Sequence, residues 1–89
     1  MTDNDPKHGE RRKFGGLTFK WKDLLETWVS ADVEIIRLMS GRWLAESRQG
    51  IHCGPERKTP DAALRAFSAD LDRKAASLSR LAARMRGDT

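Results

Sequence analysis

Hydrophobic positions change their spacing along the chain. Over residues 17–21 they alternate: Leu17, Phe19 and Trp21 fall on one side, Thr18 and Lys20 on the other. That period of two predicts a short extended segment over residues 14–21, entered through Gly15-Gly16, where the chain is free to turn. From Lys22 the steps lengthen. Leu24, Leu25, Trp28, Val29, Ile35, Ile36, Met39 and Trp43 recur at three- and four-residue intervals. This broad apolar stripe predicts an amphipathic helix over residues 22–49. Ser40-Gly41 interrupts it, and a mid-helix glycine costs about 1 kcal/mol relative to alanine, so a weak point is expected there.

Residues 50–58, GIHCGPERK, read as a connector because of their glycines and Pro55. Thr59-Pro60-Asp61 has the order of a helix start: a capping hydroxyl, a proline at the first helical position and a carboxylate at the positive end of the dipole. This helix is predicted over residues 60–86, with Gly87 to end it. Leu64, Phe67, Leu71, Lys74, Leu78, Leu81 and Met85 step alternately by three and four, a coiled-coil seam broken only by Lys74. A second seam of alanines on the far side reads as helix-forming residues on a solvated face.

Two long helices joined by a short connector predict an all-α antiparallel helical hairpin. A disordered basic tail over residues 1–13 would precede it, poor in apolar residues and punctuated by Pro6 and Gly9. The first helix's face, with Trp28 and Trp43, is broader than one partner helix covers. Completion by a homodimer or by docking on a larger protein is therefore expected. Asp32 lies within the apolar stripe and Lys74 breaks the seam. In the hairpin they share one level, which suggests a register-fixing ion pair.

Composition narrows the function. The chain has 89 residues, 38% hydrophobic and 34% charged, with net charge +4, so it is at most one domain with a small core. It has no apolar run of transmembrane length and its first ten residues do not resemble a secretory signal. With a single cysteine, Cys53, a cytoplasmic setting is expected. The basic excess lies at the two ends. Residues 7–22 hold six Lys and Arg against Glu10, and residues 65–89 hold six against three aspartates.

Catalytic chemistry has little support. His52-Cys53 supplies at most two metal ligands where a structural zinc site needs four. A reactive Cys53 would need an orienting third group and a pocket. No enzyme activity, cofactor or metal is expected. Two binding functions remain. The first is a protein-binding module, acting as adaptor, small subunit or inhibitor of a larger assembly. Its contacts would be Phe14, Leu17, Phe19, Trp21, Trp28 and Trp43, with the extended segment adding as a strand to a partner's sheet. The second is a nucleic-acid-binding accessory or regulatory protein. It would use Arg11, Arg12, Lys13, Lys20 and Lys22 interleaved with aromatics, and an Arg73, Arg80 and Arg84 face on the second helix. Membrane-surface binding is disfavoured, because apolar and basic residues do not separate into the two faces of one helix.

Overall fold

The computed structural model describes residues 6–50 and 52–87. It overturns the all-α hairpin. Five strands come first: β1 (Arg11–Phe14), β2 (Leu17–Lys22), β3 (Thr27–Val29), β4 (Val33–Arg37) and β5 (Trp43–Ser47). They form one antiparallel meander in the order β1-β2-β3-β4-β5. One helix follows, α1 (Pro60–Arg86). Neither the hairpin, nor a helix over residues 22–49, nor a two-helix coiled coil forms.

Turn chemistry builds the sheet. Gly15 and Gly16 both have positive φ, 55° and 84°, as a two-residue hairpin loop whose twist matches its strands requires. This joins β1 to β2, pairing Phe14 with Leu17 and Arg11 with Lys20. The tail expected over residues 1–13 is thus partly strand; residues 1–5 lie outside the described residues. Between β3 and β4 the Ser30 hydroxyl accepts from the Val33 N–H at 3.2 Å and its N–H donates to the Val33 carbonyl at 2.9 Å. Gly41, expected to weaken a helix, instead closes the β4–β5 turn at φ 86°, donating to the Leu38 carbonyl at 2.9 Å.

The three-and-four stripe of residues 24–43 mixes three environments. Trp28, Ile35 and Trp43 point to the core face. Val29 and Ile36 lie on the opposite face. Leu24, Leu25 and Met39 sit exposed in turns, Leu24 at 97%. The strand runs are rich in β-branched and aromatic residues: Thr27-Trp28-Val29 and Val33 to Ile36. Their packing on a pleated surface outweighs a helical spacing that no single helix face uses.

On the core face lie Phe14, Phe19, Trp21, Trp28, Ile35 and Ala45, all buried. Trp21 stands directly opposite Trp28, with ring centroids 5.1 Å apart. The Trp21 and Trp43 rings are 6.0 Å apart, although their strands are three positions apart, about 14 Å in a flat sheet. The sheet is therefore curled around its aromatic face. After β5 the chain doubles back, and Arg57 and Trp43 exchange two backbone hydrogen bonds of 2.7 and 2.8 Å.

Helix α1 starts at Thr59, whose hydroxyl accepts from the Ala62 N–H at 3.1 Å, and it ends at Gly87 in the left-handed conformation. Ala63, Leu64 and Phe67 are buried in the common core, with Leu71 packed against its margin. Gly54 lets the returning segment touch the helix: a Cβ there would lie 2.9 Å from both Cα and Cβ of Phe67.

Three substitutions test this packing by urea denaturation. Trp28→Ala should lose about 3–5 kcal/mol, the usual cost of emptying a buried aromatic site. Gly54→Ala should lose about 1–3 kcal/mol through overpacking. Leu24→Ala should stay within about 0.5 kcal/mol of the parent, as for other exposed positions; a helical residue 24 would cost far more.

Candidate functional site

The sheet's two faces differ in chemistry. Strand alternation sends Phe19 and Trp21 inward and Thr18, Lys20 and Lys22 outward. Register carries this to the neighbours. Arg11 stands opposite Lys20 and Lys13 opposite Thr18, while Val29 stands opposite Lys20 and Thr27 opposite Lys22. Arg11, Lys13, Lys20 and Lys22 therefore share the outer face of β1 and β2. Over β4 and β5 the same face carries Glu34 opposite Glu46 and Ile36 opposite Leu44. The outer face is thus basic at one end and acidic at the other.

A groove of about 480 Å³ opens on the basic end, bordered by Arg11, Lys20, Lys22 and Arg48, with Thr18 and Val29 beside them. Arg48 arrives from beyond β5, placed by its N–H donating to the Asp32 carbonyl at 3.0 Å. Its guanidinium lies 3.6 Å from Glu34. Among the described residues, Arg11, Lys13, Lys20 and Lys22 make no ion pair. Like charges facing each other across a strand pair are destabilising, so the Arg11–Lys20 pair costs the fold stability.

Arg12 and Arg37, on the core face of the sheet, have structural partners. Arg12 pairs with Glu10 and lies 4.9 Å over the Trp28 ring. Arg37 spans the Trp21 and Trp43 rings at 5.3 and 5.6 Å and donates to Glu26 at 2.7 Å. These two guanidiniums roof the aromatic face where the helix does not reach.

The aromatic contact set is redistributed. Phe14, Phe19, Trp21 and Trp28 are core residues, Trp43 is half-buried and Leu17 is exposed. β2 has neighbours on both sides, so it cannot add as a strand to a partner's sheet. Stacking of Phe19 or Trp21 on bases is excluded by the same burial.

The Asp32–Lys74 pair does not form. Asp32 sits exposed in the β3–β4 turn, and Lys74 pairs with Asp70 at 3.2 Å. With residues 22–49 folded as strands, Asp32 has no helix face from which to meet α1. Lys74, and then Arg73 at 3.0 Å, hold the Asp70 carboxyl below its ordinary pKa. Arg80 and Arg84 lie farther along α1, exposed, and no hydrogen bond or ion pair among the described residues joins them to the sheet cations.

At Cys53, local desolvation and then the Glu46 carboxylate raise the thiol pKa, with Lys74 partly opposing them. The thiol stays protonated at neutral pH and is a poor nucleophile. Among the described residues, no group of three or more His, Cys, Asp or Glu side chains is placed to hold a metal ion, and no helix is long and apolar enough to cross a membrane. The chain matches no protein-family model, no curated protein and no solved structure.

Arg48 is the groove residue that sequence reasoning missed. It lies outside the basic stretch, and only the path of the chain after β5 brings it to Val29 and Ser30. Replacing one member of the like-charged pair tests its cost: Lys20→Glu is expected to raise stability by about 0.2–1 kcal/mol, the range for an opposite-charge cross-strand pair, measured by thermal or urea unfolding at low salt.

Proposed function

We propose that this protein is a non-enzymatic nucleic-acid-binding accessory protein that grips the phosphate backbone with the outer face of β1 and β2. The observation that carries this reading is the Arg11–Lys20 cross-strand pair. With Lys13 and Lys22 it forms a cluster on the outer face of β1 and β2 that makes no ion pair among the described residues, at a cost in stability. Surfaces kept at such a cost are a mark of function rather than of folding. Phosphates would supply the counter-charge that the described residues do not.

The chemistry sets the mode of binding. Cations on a sheet face contact phosphates, which position a nucleic acid but do not read its sequence. The aromatics that would stack on bases are in the core. Binding is therefore electrostatic and sequence-tolerant, with counterion release as its driving force. A cytoplasmic site of action is part of this proposal.

A second reading, a protein-binding adaptor, small subunit or inhibitor, has one observation in its favour. Leu78, Leu81 and Met85 are 63%, 48% and 74% exposed on α1. A tagged pull-down from lysate separates the two readings. Recovery that collapses with nuclease or high salt supports nucleic acid, and a stoichiometric protein that survives both supports the adaptor.

Fluorescence anisotropy with mixed-sequence duplex and single-stranded DNA and RNA tests the first reading directly. About four phosphate contacts on duplex DNA give a slope of roughly −3.6 in log affinity against log salt, at about −0.9 per contact. Lys20→Glu should flatten the slope by one to two contacts and weaken binding to every sequence alike, while stability rises. Unchanged affinity in Lys20→Glu and Arg11→Glu would sink the proposal.

A further inference from the structure

Beyond Leu71 no residue of α1 belongs to the core, yet the helix runs on to Arg86. That leaves 15 residues, about 22 Å of helix at 1.5 Å per residue, carried out from the sheet. The molecule is accordingly 57 Å long but only 24 and 20 Å across. The apolar seam does not stop where the core stops. Leu64, Phe67 and Leu71 pack on the sheet, and Leu78, Leu81 and Met85 continue the same three-and-four spacing into solvent. An isolated projecting helix of this length is marginal in water without something to pack on.

We infer that the seam is covered by a second copy of this chain, with the two helices antiparallel. Charge chooses the orientation. Residues 60–72 of α1 hold Asp61, Asp70 and Asp72 against Arg65, whereas residues 73–86 hold Arg73, Lys74, Arg80, Arg84 and Arg86 and no acid. Antiparallel pairing lays the basic half of each helix on the acidic half of the other. Parallel pairing sets basic on basic and puts Lys74 against Lys74 inside the seam.

Shape fixes the register. A mainly apolar groove of about 260 Å³ runs beside the packed half of the seam, between Leu64, Phe67 and Leu71 on one side and Leu17 and Val33 on the other. Set antiparallel about residues 76–77, the partner's Met85 falls at Phe67 and enters this groove. The partner's Leu81 falls at Leu71, and the partner's Arg84 falls at Asp70. Ala75 and Ala82 flank the seam on one side, so nothing bulky holds the helices apart. Each projecting end fills the other's groove, and the pairing closes at two copies. It also covers Leu17, exposed on the core face of β2. The basic groove, on the outer face, stays clear of this contact.

Sedimentation equilibrium of the full chain tests the pairing. The parent chain is expected to be a dimer. Leu78→Glu and Leu81→Glu alter side chains outside the protomer core, so both should be monomers whose near-ultraviolet dichroism, set by buried Trp21 and Trp28, is unchanged. Arg84→Asp should weaken dimerisation severalfold, and adding Asp70→Arg in the same chain should restore it. Because Asp70 also holds Arg73 and Lys74 on its own helix, cross-linking gives a second measure. In a Cys53→Ser background, Ser77→Cys should oxidise to a disulfide-linked dimer and outward-facing Ser79→Cys should not. A monomeric parent, a higher oligomer, a dimer indifferent to both glutamate changes, or cross-linking through residue 79 in place of residue 77 would overturn the inference.

Discussion

A curled sheet with one aromatic face must bury that face, and the rest of the molecule follows from how it does so. Trp21, Trp28 and Phe19 are fully buried, each worth roughly 1.5–3 kcal/mol relative to exposure. Edge-to-face and tilted ring pairs add about 0.5–1.5 kcal/mol each. One helix cannot cover five strands. Its first three turns seal the region around Phe14, Ile35 and Ala45. The remainder is closed by curling, which brings Trp43 to Trp21, and by the guanidiniums of Arg12 and Arg37 laid over the indoles.

The same alternation that buries the aromatics exposes the lysines. In β2 every inward aromatic is followed by an outward Lys, so the core and the basic face are two consequences of one period-two pattern. The core half is satisfied within the chain. The outward half is not: among the described residues no carboxylate pairs with Arg11 or Lys20, which face each other. Over β4 and β5, by contrast, Glu34 has Arg48 within 3.6 Å. Fold and proposed function therefore pull in opposite directions at Lys20, where the proposed phosphate ligand would supply the missing counter-charge.

Several parts of the molecule were legible before the structure. Thr59, Pro60 and Gly87 mark the ends of α1 because capping is local: the groups that satisfy the helix ends lie within a few residues of them. The alternation of residues 17–21 reflects a strand for the same reason. The basic stretch was visible as charge, though not as a surface. Residues 24–43 misled because strands of three to five residues, separated by short turns, place apolar side chains at spacings that imitate a helix face. The turn signals were present in Ser30-Ala31-Asp32 and Ser40-Gly41, but each is weak alone.

The sequence by itself determined the local elements: the freedom to turn at Gly15-Gly16, the capped helix, the seam of that helix and the concentration of cations near the amino end. Only the tertiary structure decided which of those groups meet. Phe19 and Trp21 became core because the sheet curled around its aromatic face. Arg48 joined Lys20 and Lys22 because the chain after β5 passes the β3–β4 turn. Asp32 and Lys74 were parted because their elements were never two facing helices. Backbone propensity and capping act over a few residues and are written in order along the chain. Burial and charge proximity depend on strand pairing and register, which residues far apart in sequence settle together.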